Sequence, residues 1–370
     1  MTAAPDGASL LRRLRGDAQK RPVVDPGLAG GLRDWLEDGL AQAVGRLPTD
    51  RDPVRVSKES LNQVLACEAH LAANRAAPRV VTLELARGSL VDALFRQWVT
   101  IGVIDDPWAD AVAALGVDGD GDGVVAFVDA LPDDGRRRLA AEVAAQVAGI
   151  AERWPVPSPA WLARTQERLE VPLCGGRVVL AGVVDLVLGG PAHERSSVCV
   201  VELKSGRRRV EHRGDLHFYA LLETLRSGAP PFRIATYYSA TGELDVEPVG
   251  EDALVGALQR VLAGTGRLCR LATGAEPARA PNPLCAWCVG LPGCAPGQER
   301  AGTDVPRTAA ARADDDPDDP DDPGDPDADL AGERSAATTP TAATTPTAAT
   351  TPTATTAPGD AGGHRRRGRP

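Results

Sequence analysis

One carboxylate inside an apolar run constrains this chain more than any other feature. The segment RVVLAGVVDLVLGG, residues 177–190, is polar beyond its leading arginine only at Asp185. With LEVPL at 169–173 and the turn CGG between them, it reads as two β-strands joined by a hairpin. Burying a bare carboxylate in such a strand is costly. Asp185 therefore calls for a partner or a use.

The surrounding pattern places this hairpin in a larger α/β unit. A polar turn leads to SSVCVVELKSG, a third strand. A helix over HRGDLHFYALLETLRSG, strands over FRIATYYSA and ELDVEPV, and an amphipathic helix over EDALVGALQRVLAGTGRL follow. Upstream, Ser57 opens a helix that ends near Cys67. A second helix spans roughly 88–100, and 105–165 is helical with breaks. The β signal starts at about 168. The order predicts an α/β core behind a mainly helical N-terminal part.

Composition sets the limits of that unit. No aromatic residue follows Trp287, and 10 of the 31 prolines lie after residue 300. The acidic run DDDPDDPDDPGDPDAD and the repeated TAATTP cannot build a core and read as a disordered C-terminal tail. We divide the chain into an N-terminal helical arm at 1–55, a folded domain at 56–298 and the tail at 299–370. The tail suits either recruitment of a partner or mimicry of DNA.

The net charge is −10. Residues 301–370 have 13 acids and 7 arginines, hence −6, leaving −4 for the rest of the chain. That balance excludes a histone-like, polybasic nucleic-acid binder but not an enzyme with one local basic stripe. Only three of the 41 cationic residues are lysines: Lys20, Lys58 and Lys204. A lysine retained in a strand is informative, because lysine can lose its proton and arginine cannot. No apolar stretch reaches the length of a membrane span, and the N-terminus does not read as a signal peptide. Seven cysteines without a secretory signal point to the cytoplasm, as reduced thiols or metal ligands.

Asp185 has company. Glu202 and Lys204 lie two apart on the third strand and so share a face. Two carboxylates converging from adjacent strands suit Mg²⁺ or Mn²⁺, and a lysine beside them can orient a water and offset phosphate charge. Together they fit metal-assisted phosphodiester hydrolysis. The plainer alternative is a structural ion pair at a strand end. Arg207, Arg208, Arg209 and Arg213 follow directly and are placed to hold phosphates, or form a solvated turn.

Cys285, Cys288 and Cys294 form a second constellation, C-x2-C-x5-C on a Pro/Gly-rich loop, suited to a soft metal. A fourth ligand is needed, and Cys269 lies near in sequence. Trp287, between two of these thiols, is expected to shield the centre, with stacking on a base as the alternative. Asp118, Asp120, Asp122, Gly123 and Asp129 have the spacing of a Ca²⁺ loop with Asp in place of the closing Glu; an exposed acidic turn is the competing reading.

GVVD-x16-ELK, followed by a helix with a tyrosine, resembles the PD-(D/E)XK nuclease superfamily, in particular its RecB-like exonuclease group. The resemblance covers roughly 55–295 and implies a restriction-endonuclease-like mixed sheet core with flanking helices. It makes Asp185 and Glu202 metal ligands, adds the carbonyl of Leu203, and makes Lys204 catalytic. The family's Q-x3-Y maps onto Asp215 and Tyr219, matching only at Tyr219, which is implied to serve the catalytic site by holding the nucleic-acid strand together with the arginines. Its G-x3-H maps onto Gly88 and Asp92, making Asp92 a substitute metal ligand; a surface acid is the alternative. SKESLNQVLACEAH resembles the segment that supplies the first cysteine of the iron–sulfur branch, which includes AddB-type subunits and four-cysteine CRISPR-associated nucleases. Cys67, Cys285, Cys288 and Cys294 are thereby implied to hold a [4Fe–4S] cluster, with zinc and Cys269 as the rival. The implied activity is a DNA exonuclease acting on single strands or ends, in repair or in CRISPR spacer acquisition. No G-x4-GK[ST] occurs, so a helicase would be a separate partner.

Overall fold

A computed structural model describes residues 7–303 except 79, 119–120, 156–157, 191–193 and 210. The acidic and TAATTP runs lie outside these residues. So do Asp120 and the side chains of Asp118 and Asp122, which carry the Ca²⁺-loop expectation.

The N-terminal part holds α1 (Gly7–Arg15), α2 (Leu28–Val44), β1 (Val54–Val56), α3 (Lys58–Ala66), α4 (Glu68–Ala76), α5 (Leu83–Ile101), α6 (Pro107–Asp118), α7 (Asp122–Ala130) and α8 (Asp133–Arg153). Next come β2 (Arg164–Leu173), β3 (Val178–Leu188), β4 (Cys199–Lys204), α9 (Glu211–Ser227), β5 (Arg233–Tyr238), β6 (Glu243–Pro248), α10 (Glu251–Ala272) and α11 (Ala295–Thr303). This is an α/β architecture with a six-stranded mixed sheet flanked by helices.

The β2–β3 hairpin runs antiparallel around Cys174–Gly176, with Gly175 and Gly176 both at positive φ, which a tight turn between long strands requires. β2 covers one edge of β3 along its length. The other edge is shared: β1 pairs in parallel with Val178–Leu180, and β4 pairs antiparallel with Leu186–Leu188. β5 continues parallel to β4, and β6 antiparallel to β5.

Helices cover both faces of the sheet. On one side α2, α3, α9 and α10 pack their apolar stripes against Leu180, Val184 and Val200. On the other, α1 and α5–α8 pack against Leu186, Val201 and Tyr237. The stripe Leu32, Leu36, Leu40 on α2 shows why the first fifty residues do not stand apart: its four-residue spacing fills the same core as the sheet. The boundary expected at 55/56 falls inside β1.

The expected boundaries shift in several places. α5 begins at Leu83, where Thr82 caps it, and β2 begins at Arg164. β1 is only three residues long, and such a strand carries no periodicity to read. The cysteine-rich loop folds into short 3-10 turns at Pro283–Trp287 and Leu291–Gly293 before α11. No described helix is long and apolar enough to cross a membrane.

Candidate active site and thiol centre

The edge of β3 between β1 and β4 opens a fork. No ladder pair covers residues 181–185 on that side among the described residues. Continuing the β3–β4 register one step past Leu186 and Val201 sets Asp185 opposite Glu202. The alternation of β3 also breaks there. Val184 faces one core and Leu186 the other, although residues two apart on a regular strand share a face. The β2 ladder skips Gln166 opposite Asp185, and Gln166 takes a φ of 50°. For a non-glycine residue that is a strained conformation, costing on the order of 1 kcal/mol or more.

Several groups gather at this break. The Leu203 amide donates to Asp185 Oδ2 at 2.7 Å, replacing a ladder bond with a side-chain bond. Burial pushes the Asp185 acid well above the usual carboxylate range, and Glu202 and then Asp92 push it further; Lys58 and the Leu203 amide oppose them. Glu202 is buried, with Lys58 Nζ at 2.6 Å and Lys204 Nζ at 3.6 Å from its Oε1. Its other oxygen, Oε2, is buried with no hydrogen-bond partner among the described residues. A charged oxygen so placed is costly unless something electropositive meets it. Asp92, on α5, forms an ion pair with Arg96 Nε at 3.0 Å and accepts a hydrogen bond from Gln166 at 3.4 Å, both at Oδ2. Asp92, Asp185, Glu202 and Lys204 are thus brought to one place.

Lys58 is the residue that motif reading missed. Ser57 caps α3 in a box with Ser60 (Ser60 N to Ser57 Oγ 3.1 Å, Ser57 N to Ser60 Oγ 2.9 Å), which sets Lys58 in the first turn, aimed at the sheet. The available signal was the scarcity of lysine itself.

Other expected site residues fall differently. Tyr219 has no exposed surface and belongs to the core; its ring lies 5.1 Å from Lys58 Nζ. It cannot hold a nucleic-acid strand directly, which corrects that expectation; its link to the site runs through Lys58. Asp215 is buried and accepts from Asn62 Nδ2 at 3.0 Å, while Asn62 in turn accepts from Arg260. Arg208 pairs with Asp245 and Arg213 with Glu247, each at 2.7 Å on the exposed side of β6. Arg207 and Arg209 lie on the same exposed turn.

The thiols form a separate centre. Cys67 sits at the joint of α3 and α4, where the chain turns extended. It lines one cavity with Cys285, Cys288 and Cys294. Burial pushes the Cys288 thiol up, the Gly290 backbone opposes this, and Cys67, Cys285 and Cys294 push it further. Backbone amides already point at sulfur: Ala280 N lies 3.4 Å from Cys67 Sγ, and Asn282 N lies 3.4 Å from Cys285 Sγ. Glu68 ties the same segment down by accepting from the Ala278 amide at 2.8 Å and pairing with Arg270. Cys269 is absent from this cavity. It is buried on α10, and burial, with Cys174 as neighbour, pushes it up to about 11. Cys67, and not Cys269, is therefore the fourth thiol on this lining. Trp287 is 68% exposed and does not line the cavity, so it is not a shield.

Among the described residues, no three carboxyl, thiol or imidazole groups already stand in a chelating arrangement. The fit to a metal rests instead on the donor sets: oxygen-rich with an orphaned Oε2 at the fork, and four thiols with His70 also on the lining at the thiol cavity.

No protein-family model matches this chain, and no curated protein does. Among solved structures, it is similar to an exonuclease candidate from Eubacterium rectale, with a TM-score of 0.40 and 14% identity over 60% of this chain and 83% of that chain. It is also similar to SSO0001, with a TM-score of 0.26 and 12% identity over 64% of this chain and 94% of that one.

Proposed function

We propose that this chain is a Mg²⁺- or Mn²⁺-dependent deoxyribonuclease that hydrolyses phosphodiester bonds, acting as an exonuclease on single-stranded DNA or DNA ends. The observation that carries this reading is the Asp185 carboxyl bonded to the Leu203 amide next to Glu202 at the open fork of β3 and β4, with the Glu202 Oε2 atom orphaned among the described residues. Asp185, Glu202 and the Leu203 carbonyl would hold the ion, with Asp92 as a further acid. When bound, such an ion polarises a phosphate and lowers the pKa of an attacking water. Lys204, on the Glu202 face, orients that water and offsets phosphate charge. Arg207, Arg208, Arg209 and Arg213 take the flanking phosphates, with the two β6 acids giving way.

In the same reading Cys67, Cys285, Cys288 and Cys294 hold a [4Fe–4S] cluster. Its task is mechanical: it joins the α3–α4 joint to the C-terminal loop and closes a chain segment of more than two hundred residues. A crosslink of that span restricts the unfolded chain by about 5 kcal/mol in the loop-entropy model. DNA repair and recombination in the cytoplasm are the setting, with a separate helicase or CRISPR-associated proteins as partners.

The engagement of Asp92 by Arg96 and Gln166 favours a second reading, a catalytically weakened DNA-binding or scaffold subunit of a helicase–nuclease or CRISPR-adaptation complex. Digestion of end-labelled single-stranded DNA separates the two. The full chain is purified without oxygen and assayed with Mn²⁺ or Mg²⁺ beside Lys204→Ala. Cleavage by wild type, lost in the variant, is the expected result. No cleavage by folded, metal-loaded wild type overturns the enzyme and leaves the subunit.

A further inference from the structure

Two of the three lysines in the whole chain converge on one atom. Lys204 reaches Glu202 Oε1 from the same strand, at 3.6 Å. Lys58 reaches it from α3, 144 residues away in sequence, at 2.6 Å. The position works against the helix, because a cation in the first turn faces the positive end of the helix dipole. The Lys58 side chain is only 11% exposed, so its ammonium has given up most of its water. Besides Glu202 it meets the face of Tyr219, a cation–π contact that steadies an ammonium without neutralising it. Capping by Ser57 and Ser60 fixes where the lysine starts. A buried ammonium in an unfavourable helix position, gripped by a carboxylate and a ring, is a built arrangement.

We propose that Lys58 is a built-in counter-cation of the carboxylate site: it holds Glu202 through Oε1 when no divalent ion is bound, and by its charge it lowers the affinity with which one binds. The proposal rests on Asp185 and Glu202 being metal ligands. The charges of Glu202 and Asp92 both bear on Asp185, and the Lys58 ammonium opposes them. A divalent ion arriving at Glu202 must share that carboxylate with an ammonium already on it, or displace it. Like charges a few ångströms apart in a poorly solvated site repel strongly. Lys58 is therefore a positioning residue, and it sets how much free ion the site needs.

The test is Mn²⁺ binding to the full chain, read from the paramagnetic resonance of free Mn²⁺. Wild type is compared with Lys58→Met, Lys58→Arg and Glu202→Gln. Lys58→Met is expected to bind Mn²⁺ about tenfold more tightly or better. Lys58→Arg keeps the charge and stays within about threefold of wild type. Glu202→Gln loses the site. A residue serving only the fold would leave binding unchanged or weaken it when replaced. Should Lys58→Met fail to fold, judged by circular dichroism, Lys58→Gln makes the same test with a donor retained. Affinity in the neutral variant equal to or below wild type overturns the proposal and leaves the carboxylate site standing. Equal binding by Glu202→Gln and wild type overturns the site, and the proposal with it.

Discussion

Asp185 takes the amide of Leu203 at 2.7 Å, one step past the last Cα pair of the β3–β4 ladder. A side-chain carboxylate thus satisfies a backbone donor at the fork that would otherwise be left without a strand partner. The same carboxyl is pushed well above its usual range by burial, then by Glu202 and Asp92.

That displacement has a sign. A carboxyl with a folded pKa above its unfolded value binds more protons when folded, so the metal-free protein loses stability as pH rises from the ordinary carboxylate range through the raised value. Asp185→Asn removes the charge and keeps an acceptor for Leu203. In EDTA it should melt higher than wild type near neutral pH, the gap closing in acid, while nuclease activity disappears. A variant that melts lower at about pH 8 contradicts this account.

Glu68 has the opposite sign. Burial alone would raise its pKa, but Arg270 and the Ala278 amide bring it below the ordinary value. Its contribution is present above that ordinary value and is lost as pH falls through the lowered one. Arg270 is 43% exposed, so the pair is partly screened and Glu68→Gln should cost only about 1 kcal/mol at neutral pH. Denaturant melts across an acid series should show wild type and variant converging.

Metal analysis of the thiol centre is decisive about its ligands. Replacing Cys67, Cys285, Cys288 or Cys294 by Ala should strip iron and acid-labile sulfide from anaerobically purified protein. Cys269→Ala should retain both, because that thiol lies inside the core on α10. Zinc without sulfide in the wild-type protein would leave the four thiols but replace the cluster.

Arg208 and Arg213 form exposed pairs with Asp245 and Glu247. Such pairs add little to stability, so Arg→Ala at either position should shift folding by less than about 0.5 kcal/mol. If they hold phosphates, each substitution should lower the slope of log affinity against log salt by about one. An unchanged salt slope places the DNA path elsewhere.

How much of this was legible depends on the range of the interactions. The β2–β3 hairpin, the Ser57 cap, the stripe on α2 and the spacing of Cys285, Cys288 and Cys294 are local patterns, and the amino-acid order displays them. The short β1 and the starts of α5 and β2 were not visible, since three residues carry no period and helix ends turn on caps. Tyr219 shows a different limit: its place in a motif did not reveal that the core would enclose it completely.

By itself the sequence determined the longer elements, their order and the chemical types available to two centres, because propensity, turn chemistry and hydrophobic period act over a few residues. Only the tertiary structure decided which of those groups meet. The break in alternation at Asp185 depends on Gln166 across a ladder. The absence of Cys269 from the thiol cavity depends on which face of α10 is buried. Lys58 reaches Glu202 across 144 residues because β1 and β4 share one edge of β3, a packing choice that no local run of residues encodes.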